Sequence, residues 1–185
     1  MRTLAITENI TVDGSIEMLT DWFDPQAQAD MADVLEESHR QDENADALLV
    51  GRRTFEDFRG YWPEQTDDPT GITAYLNQVR KYVVSMTLTD PMWDNSTILS
   101  GDPVEEVRAL KAQEGGKDIV LTGSIRLAHT LIAAGLVDEY RLFVYPVVQG
   151  GGRRLFPDGF EIPRLTLAEA KPFRGGIVLT RYVPA

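Results

Sequence analysis

Short runs of aliphatic and β-branched residues alternate along this chain with segments whose apolar positions recur at helical spacing. Residues 4–10 read as a strand ending at the Asp13-Gly14 turn. Residues 25–40 read as a helix, with Asp24 as N-cap, Pro25 at the first helical position, and Met31, Val34 and Leu35 on one face. Residues 45–50 have the continuous apolar character of a buried strand and run at once into Gly51 and a short helix. Residues 66–71 (Asp67, Asp68, Pro69 and Gly71 among them) carry turn chemistry and read as a loop. Strands follow at 82–86 and 97–99. Asp102-Pro103 then opens a helix with Val104, Val107 and Leu110 on one face, stopped by Gly115-Gly116. Asp118–Leu121 is a further strand, 124–134 a helix, and Gly135 its C-cap. After Asp138 the helical spacing ends: 139–148, 165–170 and 176–182 are strand-like, with Gly150-Gly151-Gly152 as a bulge or tight turn.

Strand alternating with helix up to residue 134 predicts an α/β fold: a largely parallel central sheet flanked by helices, with antiparallel C-terminal strands. A length of 185 residues suits a single domain over 1–185. With no cysteine, thiolate metal sites, disulfides and a cysteine nucleophile are excluded, and two histidines are too few for a histidine-rich metal site, so no metal is expected. A net charge of −11 disfavours nucleic acid and anionic membranes as partners. No apolar run reaches the ~20 residues of a membrane span, and no secretory h-region precedes Glu8, so a cytoplasmic location is expected. The apolar strand at 142–148 suggests a two-fold interface and hence a homodimer.

Ligands of open α/β sheets bind where strands hand over to helices, and two such junctions carry suggestive chemistry. At Gly51-Arg52-Arg53-Thr54, two arginines and a hydroxyl stand at a helix N-terminus, where free N–H groups already favour an anion. The arginines grip a phosphate or else pair with Glu56 and Asp57. At Thr122-Gly123-Ser124-Ile125, the glycine permits close backbone approach, and the serine caps the helix or bonds a phosphate oxygen. Together they suit one extended ligand with two anionic regions, although no G-x-G-x-x-G is present. Ser85, at a strand end, touches such a ligand or simply closes the strand. Asp33 and Glu36 on the first helix are the candidate proton donors. Trp22-Phe23 and Tyr61-Trp62 line a slot for a flat heterocycle or belong to the core.

Gly51-Arg52-Arg53-Thr54-Phe55 resembles the G-R-[RK]-T-[FWY] motif of the dihydrofolate reductase fold. Residues 116–127, GKDIVLTGSIRL, resemble the G-x-D-I-x-x-x-G-S-x-x-L segment of its riboflavin-pathway branch. Gly135-Leu136-Val137-Asp138-Glu139, then Pro146, then Gly150 to Phe156, and also Lys81-Tyr82-Val83-Val84-Ser85, are similar to further blocks of that branch, in the same order. The resemblance is to the C-terminal reductase domain of bacterial riboflavin deaminase/reductases and to stand-alone dihydrofolate-reductase-like proteins. It implies bound NADPH and hydride transfer to a small heterocycle, either pterin-like or resembling 5-amino-6-ribosylaminouracil phosphate. Carried over by position, it implies that Gly51, Arg52, Arg53 and Thr54 hold adenosine-side phosphates, with Ser85 and Met86 beside the 2′-phosphate. Thr122, Gly123, Ser124 and Ile125 would meet the pyrophosphate, and Asp13-Gly14 the nicotinamide ribose. Departures from the pattern are the missing W-x-L-P before the first helix and the scarcity of cations before residue 50, Arg2 and Arg40 only. The latter argues against a sugar phosphate. A non-catalytic NADP(H)-binding module or sensor on the same fold is the alternative.

Overall fold

Leu4, Ala5 and Ile6 are all fully buried, an unbroken apolar run that only a strand covered on both faces can accommodate. They open β1 (Leu4–Thr11), which lies inside an eight-stranded sheet. The computed structural model describes residues 1–23, 31–162 and 164–185. After β1 come α1 (Ala32–Glu43), β2 (Ala45–Gly51), α2 (Arg52–Tyr61), α3 (Ile72–Gln78), β3 (Arg80–Val84) and β4 (Ser96–Leu99). They are followed by α4 (Pro103–Ala112), β5 (Asp118–Leu121), α5 (Ile125–Ala133), β6 (Glu139–Tyr145), β7 (Leu165–Pro172) and β8 (Val178–Pro184). The strand order is β4-β3-β2-β5-β1-β6-β8-β7. Every pairing from β4 to β6 is parallel, and β8 pairs antiparallel with both β6 and β7. This is the mostly parallel α/β sheet with antiparallel C-terminal strands that the alternation of elements predicts.

Successive residues of β2 face opposite sides of the sheet and so enter different cores. Ala47 and Leu49 pack with Val107 and Leu110 of α4 and Leu127 and Leu131 of α5. Leu48 and Val50 pack instead with Phe55 of α2 and Leu76 of α3. On that second face, Met31 and Val34, at the start of α1, meet Phe143 and Tyr145 of β6. Thus α4 and α5 cover one face, and α1, α2 and α3 the other.

Helix ends follow their local chemistry. Asp102 accepts from the N–H groups of Val104 and Glu105 (3.0 and 3.1 Å), with Pro103 in the first turn, as expected of an N-cap followed by proline. Gly135 takes φ +64° just after α5, and the N–H of Leu136 reaches back to Leu131 O (3.0 Å).

Several boundaries differ from expectation. The expected start of the first helix, with Asp24 as cap and Pro25 in its first turn, lies outside the described residues. The turn at 66–71 is followed by a helix that periodicity does not reveal: Asp68 accepts from the N–H groups of Thr70 and Thr73 (both 2.9 Å) and so starts the seven-residue α3. Strand β3 ends at Val84 rather than 86 because the Ser85 hydroxyl accepts from the N–H groups of Thr87 and Leu88 and turns the chain. Strand β6 stops at Tyr145, where Pro146 removes a ladder donor. It is an interior strand, paired with β1 on one side and β8 on the other, so it offers no open edge for a two-fold interface; the sheet edges belong to β4 and β7. Among the described residues no helix is long and apolar enough to cross a membrane.

Candidate functional site

Four neighbouring parallel strands, β3, β2, β5 and β1, deliver their carboxyl ends to one edge of the sheet. The turns leaving them carry, in that order, Ser85-Met86, Gly51 to Thr54, Thr122 to Ile125, and Asp13-Gly14. Residues scattered over more than a hundred positions of sequence therefore stand side by side.

The two central turns are bonded to each other. Gly51 N–H donates to Ser124 Oγ (2.9 Å), and Ser124 N–H donates to Thr54 Oγ1 (3.0 Å). Neither α2 nor α5 has a side-chain cap, since the Ser124 hydroxyl is turned to Gly51 rather than to its own helix. Gly123 (φ +57°) and Ser124 (φ +49°) are both left-handed, a conformation that costs a non-glycine residue about 1 kcal/mol. A methyl group at Gly123 would come within 3.1 Å of Thr54 Cγ2, so glycine is required there twice over. Gly51 is different: its φ is −81°, and a methyl group there would meet nothing nearer than 3.8 Å. The backbone at Gly51 is ordinary extended backbone, and folding alone does not demand a glycine there.

Arg52 and Arg53 are exposed. Arg52 has only a loose contact with Glu56 (3.9 Å), and Arg53 has no ion pair among the described residues. Neither guanidinium is locked in a short internal ion pair, although Arg53 lies close enough to Glu17 to help lower its carboxyl. Ile125 contributes only backbone here, because its side chain is buried in the core. Met86 is 85% exposed beyond β3, while the neighbouring Ser85 oxygen is occupied by its own turn. Asp13 is likewise engaged: it accepts from Thr11 Oγ1 (2.6 Å), Gln149 N–H (3.2 Å) and Gly150 N–H (2.8 Å), bonds that lower its carboxyl to about 2. Gln149 extends this tie, donating to Ser15 Oγ (3.0 Å) and accepting from Trp22 Nε1 (3.0 Å), so the segment after β1 is laced to the glycine-rich turn after β6. A two-pronged Glu17–Arg153 pair closes the same seam.

Next to these turns, on the α1 face, is a cavity of about 150 Å³. Its floor is Thr7 and Asn9 of β1 with Thr122; Phe143 and Tyr145 of β6 and Phe23 form one wall; the α1 stripe Val34, Leu35, Ser38, His39 and Asp42 forms the other. Asp33 and Glu36 are not among these residues. Asp33 faces outward and accepts from Arg174 N–H (3.0 Å), which lowers its carboxyl, and Glu36 is exposed. The acid on the cavity side of α1 is Asp42, half-buried and without a hydrogen-bond partner among the described residues; burial raises it to about 7, against a smaller opposing pull from His39. Its signal in the sequence is the i, i+4 series Val34, Ser38, Asp42 on the inward face. Glu8, one residue from Thr7, points to the opposite face; burial raises its carboxyl, and it lies against the Gly123 backbone N–H.

Parallel strands whose carboxyl ends carry a bonded pair of anion-ready turns beside an apolar slot define an α/β domain with a candidate ligand site at one edge of its sheet. The chain belongs to the RibD C-terminal domain family, the reductase domain of riboflavin-biosynthesis enzymes, which matches residues 2–179. It is 33% identical to the uncharacterised protein YyaP of Bacillus subtilis over 98% of this chain and 94% of that one. Among solved structures it is similar to a candidate riboflavin biosynthesis protein from Shewanella sp. PV-4 (TM-score 0.72, 19% identity, 99% of both chains). It also resembles the diaminohydroxyphosphoribosylaminopyrimidine deaminase/5-amino-6-(5-phosphoribosylamino)uracil reductase of Thermotoga maritima (TM-score 0.68, 14% identity), covering 100% of this chain and 57% of that one.

Proposed function

We propose that this protein is an NADPH-dependent reductase delivering a hydride to a small heterocyclic substrate. The observation that carries the reading is the bonded pair of turns, Gly51 to Ser124 and Ser124 to Thr54, which presents two uncapped helix N-termini and two uncommitted arginines to one place. A dinucleotide with a 2′-phosphate fits that donor set. The backbone N–H groups at the start of α5 and the glycine cradle at Gly123 suit the pyrophosphate. Arg52 and Arg53, with Thr54 behind them, suit the 2′-phosphate, and the space in front of Gly51 admits close approach. Ser85 and Met86 flank the adenosine side, and the Asp13 bonds hold the covering segment in place.

When bound, the reduced nicotinamide supplies the hydride. The chain supplies the surroundings. Phe23, Phe143 and Tyr145 exclude water from the slot, and Thr7, Asn9 and Thr122 orient what enters it. Asp42, held near neutrality by burial, is the proton donor on this reading, in place of Asp33 or Glu36, whose carboxyls lie off the cavity wall. The test is oxidation of NADPH by purified protein in the presence of aminouracils, pterins or quinones. Substrate-dependent oxidation is expected. Binding of NADPH with no oxidation across all three classes would replace the reductase by a binding module.

A further inference from the structure

The slot contains hydrogen-bonding groups that the fold leaves unused. Tyr145 is 2% exposed, and its hydroxyl has no partner among the described residues; Thr7 Oγ1 is likewise buried and unpartnered. Both residues line the cavity together with Asp42, whose carboxyl has no hydrogen-bond partner among the described residues. Buried polar groups are normally satisfied, so unmet ones converging on one cavity mark the contacts of an absent ligand. The walls are aromatic, with Phe23 edge-on to Tyr145 at 5.7 Å between ring centres, which suits a flat ring. A cavity of about 150 Å³ holds one aromatic ring.

No lysine or arginine lines the cavity among the described residues. Of the cations near it in sequence, buried Arg2 pairs with Asp46, Arg40 pairs with Glu37 (2.6 Å), and Arg126 is exposed on α5, which covers the opposite face of the sheet. Arg141, the register partner of Thr7, keeps one unpartnered N–H, but its charge is already offset by Glu139 (3.0 Å) and Asp118 (2.5 Å). Among the described lining residues a phosphate entering beside Asp42 would find only the His39 imidazole as a basic group, its Nε2 already bonded to Thr70 O (2.7 Å), in a chain of net charge −11.

We infer that the slot takes an uncharged, planar, one-ring heterocycle, bound through carbonyl or ring N–H atoms by Tyr145 and Thr7, and disfavours its sugar-phosphate derivative. The inference rests on the reductase reading for the order of events but not for the binding itself. Calorimetric titration of the full chain with 6-aminouracil, and separately with 5-amino-6-(5-phosphoribosylamino)uracil, tests it. The free base should bind at least as tightly as the phosphate, with little dependence on salt, and it should still bind when NADP⁺ is saturating. Tyr145→Phe should weaken the base by about three- to tenfold while leaving the thermal midpoint unchanged or raised, since no bond in the free protein is lost. Thr7→Val, which tests the second hydroxyl, should do the same. Tenfold or tighter binding of the phosphate, falling steeply with salt, would overturn the inference. So would displacement of the base by NADP⁺, which would give the slot to the nicotinamide and leave the cofactor reading intact. Binding of the base by a protein that ignores NADP⁺ would remove the cofactor reading and leave this one standing.

Discussion

Replacing Asp42 with asparagine separates chemistry from stability. The carboxyl is held at about 7 instead of the ordinary 3.8, chiefly by burial. Realised in full, that displacement corresponds to about 4 kcal/mol of disfavoured ionisation. The group keeps some contact with solvent, so about 1–2 kcal/mol should reach the folding equilibrium. The folded chain binds this proton more tightly than the unfolded chain does. Its contribution is therefore fully present below the unfolded value, declines as pH rises, and is gone above about 7. Asp42→Asn should match the parent near pH 4 and exceed it at pH 8 by about 2–8 °C in thermal midpoint. If Asp42 is the proton donor, the same variant should reduce NADPH oxidation by about 10²–10⁴-fold at pH 6. The parent rate should also fall as pH rises through about 7. Scanning fluorimetry at the two pH values and a rate profile read both effects. A variant as active as the parent, or one whose advantage in midpoint over the parent is no larger at pH 8 than at pH 4, would refute the reasoning.

Three further substitutions probe the turns. Gly51→Ala should leave the thermal midpoint unchanged, because the added methyl has room and φ is ordinary, yet should weaken NADPH binding in a titration. Gly123→Ala forces an alanine into φ +57° against Thr54 and should cost about 1–2 kcal/mol in denaturant unfolding, together with cofactor binding. Ser124→Ala removes the acceptor for Gly51 N–H and should lower stability by about 1–3 kcal/mol in the same assay.

Periodicity carried the central strands because parallel strands buried on both faces must be continuously apolar, as at Leu48, Leu49 and Val50. It missed α3 because a seven-residue helix started by Asp68 bonds leaves little periodic trace. The two turns could be read as separate anion-ready junctions. Their union could not, since the pairing of β2 with β5 and the reach of Ser124 to Gly51 span 73 positions. The sequence offers Asp33 and Glu36, acids at the start of the helix, as candidate proton donors. Asp33 is drawn outward by Arg174, a residue 141 positions away, whereas Asp42 follows Val34 and Ser38 onto the cavity side. Tyr145 and Thr7 are unremarkable as letters. They acquire meaning only when β1 and β6 lie side by side and leave both hydroxyls facing one space.

The most direct measurement is a paired titration with NADPH and NADH, followed by the cofactor's fluorescence, on the parent chain and on Arg52→Ala/Arg53→Ala. The parent should bind NADPH with a Kd on the order of 10 μM and prefer it to NADH, and the double variant should lose about 10–100-fold for NADPH with little change for NADH. No fluorescence change with either nucleotide, or equal losses for both, would contradict the assignment of the joined turns to a doubly anionic nucleotide.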